Sequence, residues 1–519
     1  MTRPVCVSCR SQLRKWRLIA SSRSHDRKRS SWPPPRIVHR RNPTGGTQVS
    51  TGAERISLFA HELRWNDVPS PVVAAAKLHM LDTIGCGLAA RGLGVGGEAL
   101  SVAVEQGGRP ESTAIGCEQR LPAPSAAFAN GMHCHFLDYD DTHTASGTHV
   151  SVTVVPAALA AAEAAGASGR ELLIAAIIGS ETAIRIGMAA PLEFHRRGFH
   201  PTSVCGVFGA TVAASRIFGL GPEATANALG IAGSLASGLF EYLGDGSATK
   251  PLHPGWAAQS GIQAARLASH GTTGPRTVLE GRFGLYAAFV GKSETKIDSQ
   301  LAELGHGWET PNIAFKPYPA CHFSHATLDA TRKLVNDRRL RLADVDRVVA
   351  LVPADAVAFV LEPAEAKLRP RTPYEAKFSL QFSIAALLVD GRVGVDTFTE
   401  RRIADPQLLE VARRVDFEVR DYPTYPAAFP GGVRITTRDG TALEVDLPHQ
   451  RGSSANPMRD QDIRGKFQAN ATLALGETAA RKLGIELLAL DSRSDVGDVL
   501  VHLGRAKSNE PGVLSPTGG

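Results

Sequence analysis

Ionisable residues crowd one short stretch of an otherwise apolar region, from His133 to His149. Four histidines and three aspartates fall within these seventeen residues, between an Ala-rich segment and the almost wholly apolar run 150–165. Burying so many ionisable groups between core elements costs free energy unless the groups are paired or used. The stretch is therefore a candidate catalytic or binding site.

Three further stretches contain residues that could act together with this cluster. His200 precedes a helical pattern with Pro201 in its first turn, where free N–H groups favour anions. Lys250 lies in a loop rich in Gly and Pro. Lys316 and His322 lie in a Pro-stiffened segment at the junction of the helical and the α+β patterns described below, and such a junction is a common place for a ligand cleft. A capping histidine, a solvated lysine and a rigid linker are the simpler interpretations of these stretches.

A metal site is the main alternative for the His/Asp cluster. His133, His135, Asp138 and His143 offer usable donor types, but their spacing matches neither HExxH nor a Cys/His zinc pattern. A nucleophilic triad is disfavoured further, because the sequence contains no GxSxG motif.

Charge is distributed unevenly along the 519 residues. Residues 1–50 contain twelve Lys or Arg and one acid, which gives them a net charge of +11. Because the net charge of the whole sequence is +6, the remaining residues have a net charge of −5. A nucleic-acid footprint on the remainder is thus disfavoured. The basic extension is typical of disorder or of a mitochondrial transit peptide. With no predicted secretory signal or membrane span, we expect a cytoplasmic protein, or a mitochondrial one if the extension is a transit peptide.

Hydrophobic periodicity predicts a mainly α fold. Apolar residues recur at helical spacing from about residue 53 to 290, which predicts a large all-helical domain. Strand patterns at 346–353 and in an Asp-Gly hairpin at 433–446, with helical patterns at 378–389 and 406–415, predict a smaller α+β domain. Helical patterns from 460 to 503 are expected to return to the first domain and make it discontinuous. The predicted divisions are 1–50 as a disordered basic extension, 51–311 with 455–505 as the helical domain, 312–454 as the α+β domain, and 506–519 as a loose tail.

Six motifs occur in order between about residues 53 and 503: His135-x-x-Asp138-Tyr139-Asp140-Asp141-Thr142-His143 with His149, Gly198-Phe199-His200-Pro201-Thr202, Thr249-Lys250-Pro251-Leu252-His253, Leu279-Glu280-Gly281-Arg282-Phe283-Gly284, Lys316-Pro317-Tyr318-Pro319, and Asn456-Pro457-Met458 before Lys466-Phe467. Together they closely resemble the MmgE/PrpD family. The resemblance implies a homodimer of chains in which the α+β domain is a lid on the helical domain.

The resemblance also implies the chemistry. Family reactions include dehydration of 2-methylcitrate, decarboxylation of cis-aconitate and epimerisation of iminodisuccinate, and none needs a metal or an organic cofactor. We therefore expect a cofactor-independent lyase acting on a small polycarboxylate, with elimination of water first and epimerisation or decarboxylation as alternatives. Such sites need a positioned acid or base and fixed cations, because charge develops next to an existing carboxylate.

Site roles follow from the resemblance residue by residue. His149, Asp138 and His200 are expected to be catalytic, and Thr142, Lys250, Lys316 and His322 are expected to bind substrate. His133, Asp140 and Asp141 are expected only to support the loop and to cap a helix.

Two departures from the decarboxylase branch favour dehydration. A Tyr is expected where Phe382 aligns, and a His where Cys321 aligns, with His322 one place later. A carboxylate-binding homologue without turnover and a metal-dependent hydrolase are the alternatives from other classes.

Overall fold

The computed structural model describes residues 50–508 apart from Ser293. The predicted basic extension, up to residue 49, and all of the predicted tail beyond residue 508 lie outside the described residues.

Helices dominate the described chain, as the hydrophobic pattern predicts. Those of six residues or more are α1 Gly52–Glu62, α2 Ser70–Gly92, α3 Glu98–Gln106, α4 Ala123–Phe136, α5 Ser151–Ala165, α6 Gly169–Met188, α7 Pro201–Ile217, α8 Pro222–Gly233, α9 Leu252–Ser269, α10 Ile297–Ala302, α11 His325–Arg338, α12 Ala354–Val360, α13 Leu380–Asp390, α14 Pro406–Ala412, α15 Asp460–Leu475, α16 Glu477–Leu488 and α17 Gly497–Gly504.

Helix α2 runs through the centre of the helical part. It is long and apolar enough to cross a membrane, with a mean hydropathy of 1.3 over its most apolar window, but 78% of that window is buried inside the protein. Ile84 and Leu88 pack in one core with residues of α5 and α6 and with Phe467 of α15. The helix is therefore apolar on most of its surface because it is surrounded by other helices.

Glycines allow α4 and α9 to cross closely at the position that matters for the site. A Cβ atom on Gly131 would lie 2.7 Å from the Cα atom of Gly255, so neither position accepts a larger residue without a backbone shift. The crossing places the loop that precedes α9 beside the loop that follows α4. These two loops contain Lys250 and Asp138.

The helical part contains a short antiparallel hairpin, so the prediction of an all-helical domain is wrong at this point. Strands β1 (Ser112–Ala114) and β2 (Cys117–Leu121) pair with each other. Side chains bond backbone N–H groups in and next to β1. Glu163 accepts from the Thr113 N–H at 2.6 Å, and Asn130 accepts from the Ile115 N–H at 2.8 Å. Strands this short show no clear alternation, which is why periodicity misses them.

The second part is built on a four-stranded sheet with the strand order β4-β3-β5-β6. Its strands are β3 Val345–Val352, β4 Val415–Val419, β5 Gly431–Thr437 and β6 Ala442–Leu447. The predicted β5–β6 hairpin is confirmed, and β3 also pairs antiparallel with β5. The pairing of β3 with β4 is parallel. The helix predicted at 406–415 ends at Ala412, because β-branched Val415 starts the strand.

Helix α15 returns to pack along α2. Phe467 lies against Gly85, where a Cβ atom would come within 2.9 Å of its ring. The Lys466 ammonium pairs with Asp82 of α2 at 2.8 Å, and both side chains are buried. Lys466 also donates to the carbonyl of Tyr139 at 2.6 Å, which ties the C-terminal helices to the His/Asp loop.

Candidate active site

The His/Asp cluster forms a buried loop between α4 and α5. Helix α4 ends at Phe136, and Asp138 follows in the left-handed region with φ of 51°, its N–H bonded to the His135 carbonyl. Aspartate is one of the few residues other than glycine that enter this region readily. The turn directs the chain away from the helix axis and places the Asp138 side chain in the site.

Contacts from three directions fix the rest of this loop. Thr142 exchanges two backbone hydrogen bonds of 2.9 Å with Ala314. The His149 N–H donates to the Thr202 hydroxyl at 3.0 Å. Asp141 accepts from the backbone and hydroxyl of Ser151, the first residue of α5, which agrees with the supporting and capping role predicted for it. The loop is therefore tied by hydrogen bonds to three separate segments of the chain.

Asp138 lies between two lysine ammonium groups. Lys250 and Lys316 donate to the same carboxylate oxygen at 2.7 and 3.0 Å, and Lys316 also donates to the Asp138 carbonyl at 2.9 Å. All three side chains are buried. Burial would raise the pKa of the Asp138 carboxyl, but the two ammonium groups outweigh it and hold that pKa well below its ordinary value. Asp138, Lys250 and Lys316 together carry one net positive charge, which suits an anionic ligand.

His149 and His135 share one carboxylate, that of Asp140. The Nδ1 atom of His135 lies 2.8 Å from one Asp140 oxygen, and the Nδ1 atom of His149 lies 3.0 Å from the other. The Nδ1 atom of His149 is also 2.9 Å from the Asp141 carbonyl. Because these neighbours are acceptors, Nδ1 of His149 holds the proton and Nε2 is left as the acceptor. The prediction that Asp140 only supports the loop and caps a helix is thus incomplete, since it orients two imidazoles.

Burial controls the ionisation of the imidazoles. It lowers the pKa of His149 to about 4, against the opposing effect of Asp140, with Lys316 and Lys250 lowering it further. The pKa of His200 is also well below its ordinary value, because of burial first and then of the neighbouring His253, whose Nδ1 lies 3.0 Å from its own. Both imidazoles are therefore neutral at pH 7 in the free protein.

The segment after Lys316 contributes His322 to the site. His322 is buried, and neither of its ring nitrogens has a hydrogen-bond partner among the described residues. Its ring lies 4.7 Å from that of His325 and 5.4 Å from that of Phe429. A buried imidazole without partners beside a cavity is suited to contact a ligand.

One cavity collects all seven residues that the sequence predicts for the site: Asp138, Thr142, His149, His200, Lys250, Lys316 and His322. His133 lies outside it, buried on α4, and burial lowers its pKa to about 4. A larger cleft near the start of α2, lined by Trp65, Lys77 and Arg464, contains none of the seven.

Sequence reasoning missed the rest of the lining. The additional residues are Gly147, His195, Phe240, Tyr242, Cys321, Phe323, Phe359, Phe378 and Phe429. Among them, Cys321 enters the sequence prediction only as a departure from the decarboxylase branch. His195, five residues before His200, could have been suspected from its position. The phenylalanines come from separate stretches, and no local pattern distinguishes them from core residues.

Histidines in this site offer donors for a metal ion. One nitrogen each from His135, His149 and His200 lies within 4.8 Å of the others, and a second grouping combines His135 and His149 with Asp138 and Asp140. Two facts disfavour a divalent metal ion here. The Asp138 carboxylate is already paired with the ammonium groups of Lys250 and Lys316, and the positive charges of these two lysines would repel the metal ion. The donor set fits an anion pocket better than a metal centre.

Comparisons with known proteins cover most of the chain. Residues 54–298 match the MmgE/PrpD N-terminal domain and residues 318–492 match the MmgE/PrpD C-terminal domain. The chain is 32% identical to cis-aconitate decarboxylase of Homo sapiens over 81% of its length and 88% of that protein. It is 27% identical to cis-aconitate decarboxylase of Aspergillus terreus (85% and 94%) and 22% identical to mitochondrial 2-methylcitrate dehydratase of Yarrowia lipolytica (77% and 81%).

Proposed function

Because the chain belongs to the MmgE/PrpD family and is a lyase of that family, we propose that it decarboxylates a tricarboxylate of the cis-aconitate type. The observation that carries the proposal is an imidazole, that of His149, oriented by Asp140 beside two buried ammonium groups. This arrangement offers a proton-transfer group and a carboxylate-binding pair on one wall of a cavity.

Decarboxylation replaces dehydration as the first choice. The cis-aconitate decarboxylase of Homo sapiens shares 32% of aligned residues with this chain, whereas the 2-methylcitrate dehydratase of Yarrowia lipolytica shares 22%. The higher identity supports a reaction shared with the decarboxylase more strongly than one shared with the dehydratase.

The lining of the cavity also supports the proposal at the two positions where the sequence departs from the decarboxylase branch. Phe382 is fully buried against Phe398 and does not line the cavity, so the side chain at that position would not contact a ligand held there. Tyr242 lines the cavity, and burial raises its pKa, so it stays a phenol that can donate a hydrogen bond. His322 lines the cavity beside Cys321 and supplies an imidazole.

The reaction needs one proton. The bond between the methylene carbon and its carboxylate breaks, and its electron pair forms a new carbon–carbon double bond. The original double bond shifts its electrons to the alkene carbon beside the terminal carboxylate. A proton added to that carbon completes the reaction, so the trianion and one proton yield CO₂ and the dianion 2-methylenesuccinate.

Five of the seven predicted residues have a task in this scheme. Lys250 and Lys316 bind the two carboxylates that are retained and stabilise the charge that develops next to one of them. Asp138 fixes the ammonium groups, and Thr142 contacts His149 from the same loop. His149 delivers the proton, with Asp140 stabilising the imidazolium.

Substrate binding must then protonate His149, which predicts a distinctive pH profile. Burial keeps its pKa at about 4 in the free protein, so the imidazolium fraction falls tenfold for each pH unit above that value. We expect kcat/KM for cis-aconitate, corrected for substrate ionisation, to fall with a slope near −1 between about pH 5 and 7. The fall in kcat should occur at higher pH, because bound carboxylates raise the pKa of His149.

A reaction that starts by proton abstraction requires the opposite protonation state. Elimination of water by a neutral His149 would give a kcat/KM that is flat over the same range and falls only in acid. Steady-state rates across this range on one enzyme preparation therefore separate the two mechanisms, and a flat profile would contradict proton delivery by His149.

The proposal includes the arrangement that the family resemblance implies. Residues 312–454 would act as a lid, since this segment contributes Lys316, His322, Phe359 and Phe429 to the cavity that the His/Asp loop also lines. A homodimer, and a cytoplasmic or alternatively mitochondrial location, complete the proposal.

A metal-dependent hydrolase is the second candidate, because of the three clustered histidines. It would contain stoichiometric metal after purification and would lose activity with a chelator. A carboxylate-binding homologue without turnover would release no CO₂ from any tricarboxylate.

A further inference from the structure

His135 belongs to the His/Asp cluster but does not line the cavity. It lies in the last turn of α4 and is fully buried. The ring of His135 is 4.7 Å from that of His149, at an angle of 66° between the two planes. Because His135 has no surface on the cavity, any effect that it has on the proposed reaction passes through a neighbouring side chain.

That neighbour is Asp140, which bonds more closely to His135 than to His149. The Nδ1 atom of His135 forms a hydrogen bond of 2.8 Å with one carboxylate oxygen of Asp140. The other oxygen lies 3.0 Å from Nδ1 of His149 but has no hydrogen-bond partner among the described residues. The Nδ1 atom of His149 lies 2.9 Å from the Asp141 carbonyl, which accepts its proton. Asp140 therefore acts on His149 mainly through its negative charge.

The two imidazoles beside Asp140 differ in what their Nε2 atoms meet. His149 lines the cavity, so a proton on its Nε2 can reach a ligand. The Nε2 atom of His135 is buried and has no hydrogen-bond partner in the described part of the chain. A proton on that atom would be a buried N–H without an acceptor, which costs free energy. His135 is therefore a fixed donor to Asp140, with its single proton on Nδ1.

A fixed donor weakens the carboxylate that it bonds. A hydrogen bond to a carboxylate stabilises the charged form and so lowers its affinity for a proton. Burial would raise the pKa of the Asp140 carboxyl, but the contacts with His135 first and with His149 second hold that pKa well below its ordinary value. A carboxylate whose charge is partly satisfied by His135 stabilises an imidazolium at His149 less.

We propose that His135 is a positioning residue that acts through Asp140 and makes the imidazolium of His149 a stronger acid. This inference rests on the proposed decarboxylation, in which His149 delivers a proton to carbon. A stronger acid transfers its proton to carbon faster, so the hydrogen bond from His135 to Asp140 raises kcat. The same bond moves the fall of kcat with pH to a lower pH.

Replacing His135 leaves the other titratable groups around both rings in place. Besides Asp140, the groups that act electrostatically with His149 are Asp138, His195, His200, Lys250, Lys316 and His322. Those that act with His135 are Asp138, His200 and His253. Two replacements of His135 that differ in the donor to Asp140 therefore isolate the effect of that donor.

The test is the pH dependence of kcat for CO₂ release from cis-aconitate by the purified full chain. His135→Phe keeps a ring but cannot donate to Asp140. We expect the pH at which its kcat falls to half of the acid plateau to rise by about one unit, and the plateau itself to be several-fold lower. His135→Asn is the matched control, because its amide N–H can donate from the position of Nδ1. We expect its midpoint to stay within about 0.3 unit of the wild-type value.

The outcomes separate the inference from the proposed function. A His135→Phe protein with a lower kcat but the wild-type midpoint would give His135 a purely structural role and overturn the inference, while the proposed function would stand. Equal shifts in His135→Phe and His135→Asn would also overturn it, because the lost donor would not be their cause. A wild-type chain that releases no CO₂ would overturn the proposed function, and the inference with it.

If His135→Phe fails to fold, nitrogen magnetic resonance of the wild-type chain with isotope-labelled histidine decides. The signals of His135 are assigned by their absence from the spectrum of His135→Asn. They should show one proton, on Nδ1, throughout the range from about pH 5 to 8. A second proton on this ring within that range would overturn the inference, since His135 would then not be a fixed neutral donor.

Discussion

Replacement of His149 by glutamine is expected to lower kcat for the decarboxylation of cis-aconitate by about 10²- to 10⁴-fold, with a much smaller change in KM. Glutamine can occupy the space and keep a hydrogen bond to the loop, but it cannot deliver a proton. Steady-state measurement of CO₂ release gives both constants.

His143→Gln is the matched control for that variant. His143 lies in the same loop and is equally buried, but its nitrogens contact Ser146 and Glu309 and it does not line the cavity. We expect its kcat to stay within a few-fold of the wild-type value. A His149→Gln protein with near-wild-type turnover would show that another group transfers the proton.

Lys250→Met is expected to reduce kcat/KM by about 10²- to 10³-fold, because one of the two cations that stabilise the developing charge is lost. Asp138 keeps its ion pair with Lys316 at 3.0 Å, so the variant leaves no buried charge without a partner. The measurement is kcat/KM for CO₂ release, together with the thermal unfolding midpoint.

The control for Lys250→Met is Lys333→Met. Lys333 forms an ion pair with Asp337, and both side chains of that pair are more than half exposed. Such pairs contribute little, and we expect neither activity nor stability to change measurably. Unaltered kcat/KM in a folded Lys250→Met protein would remove Lys250 from the site.

The fold follows from the sequence where patterns are long. Helices α2, α6 and α9 are predicted because each repeats apolar residues over four or more turns, and the β5–β6 hairpin because of its Asp439-Gly440 turn. The β1–β2 hairpin and the parallel strand β4 escape prediction. Their strands have three to five residues, and their pairing depends on distant partners such as Glu163 and β3.

The polar half of the site is predictable, and the apolar half is not. Residues such as His149 and Lys250 are unusual in their surroundings and fall within recognisable motifs. The sequence predicts for Asp140 only that it supports the loop and caps a helix, because its contact with two imidazoles depends on how the loop turns at Asp138. Phe240 and Phe359 resemble core residues, and only the folded chain shows that they face a cavity.

The measurement that tests the central claim most directly is product analysis by nuclear magnetic resonance after incubation of the purified chain with cis-aconitate in D₂O. Decarboxylation with proton delivery predicts CO₂ and 2-methylenesuccinate with a single deuterium on the saturated carbon beside the terminal carboxylate. Addition of water across the double bond, with all three carboxylates retained, would contradict the account.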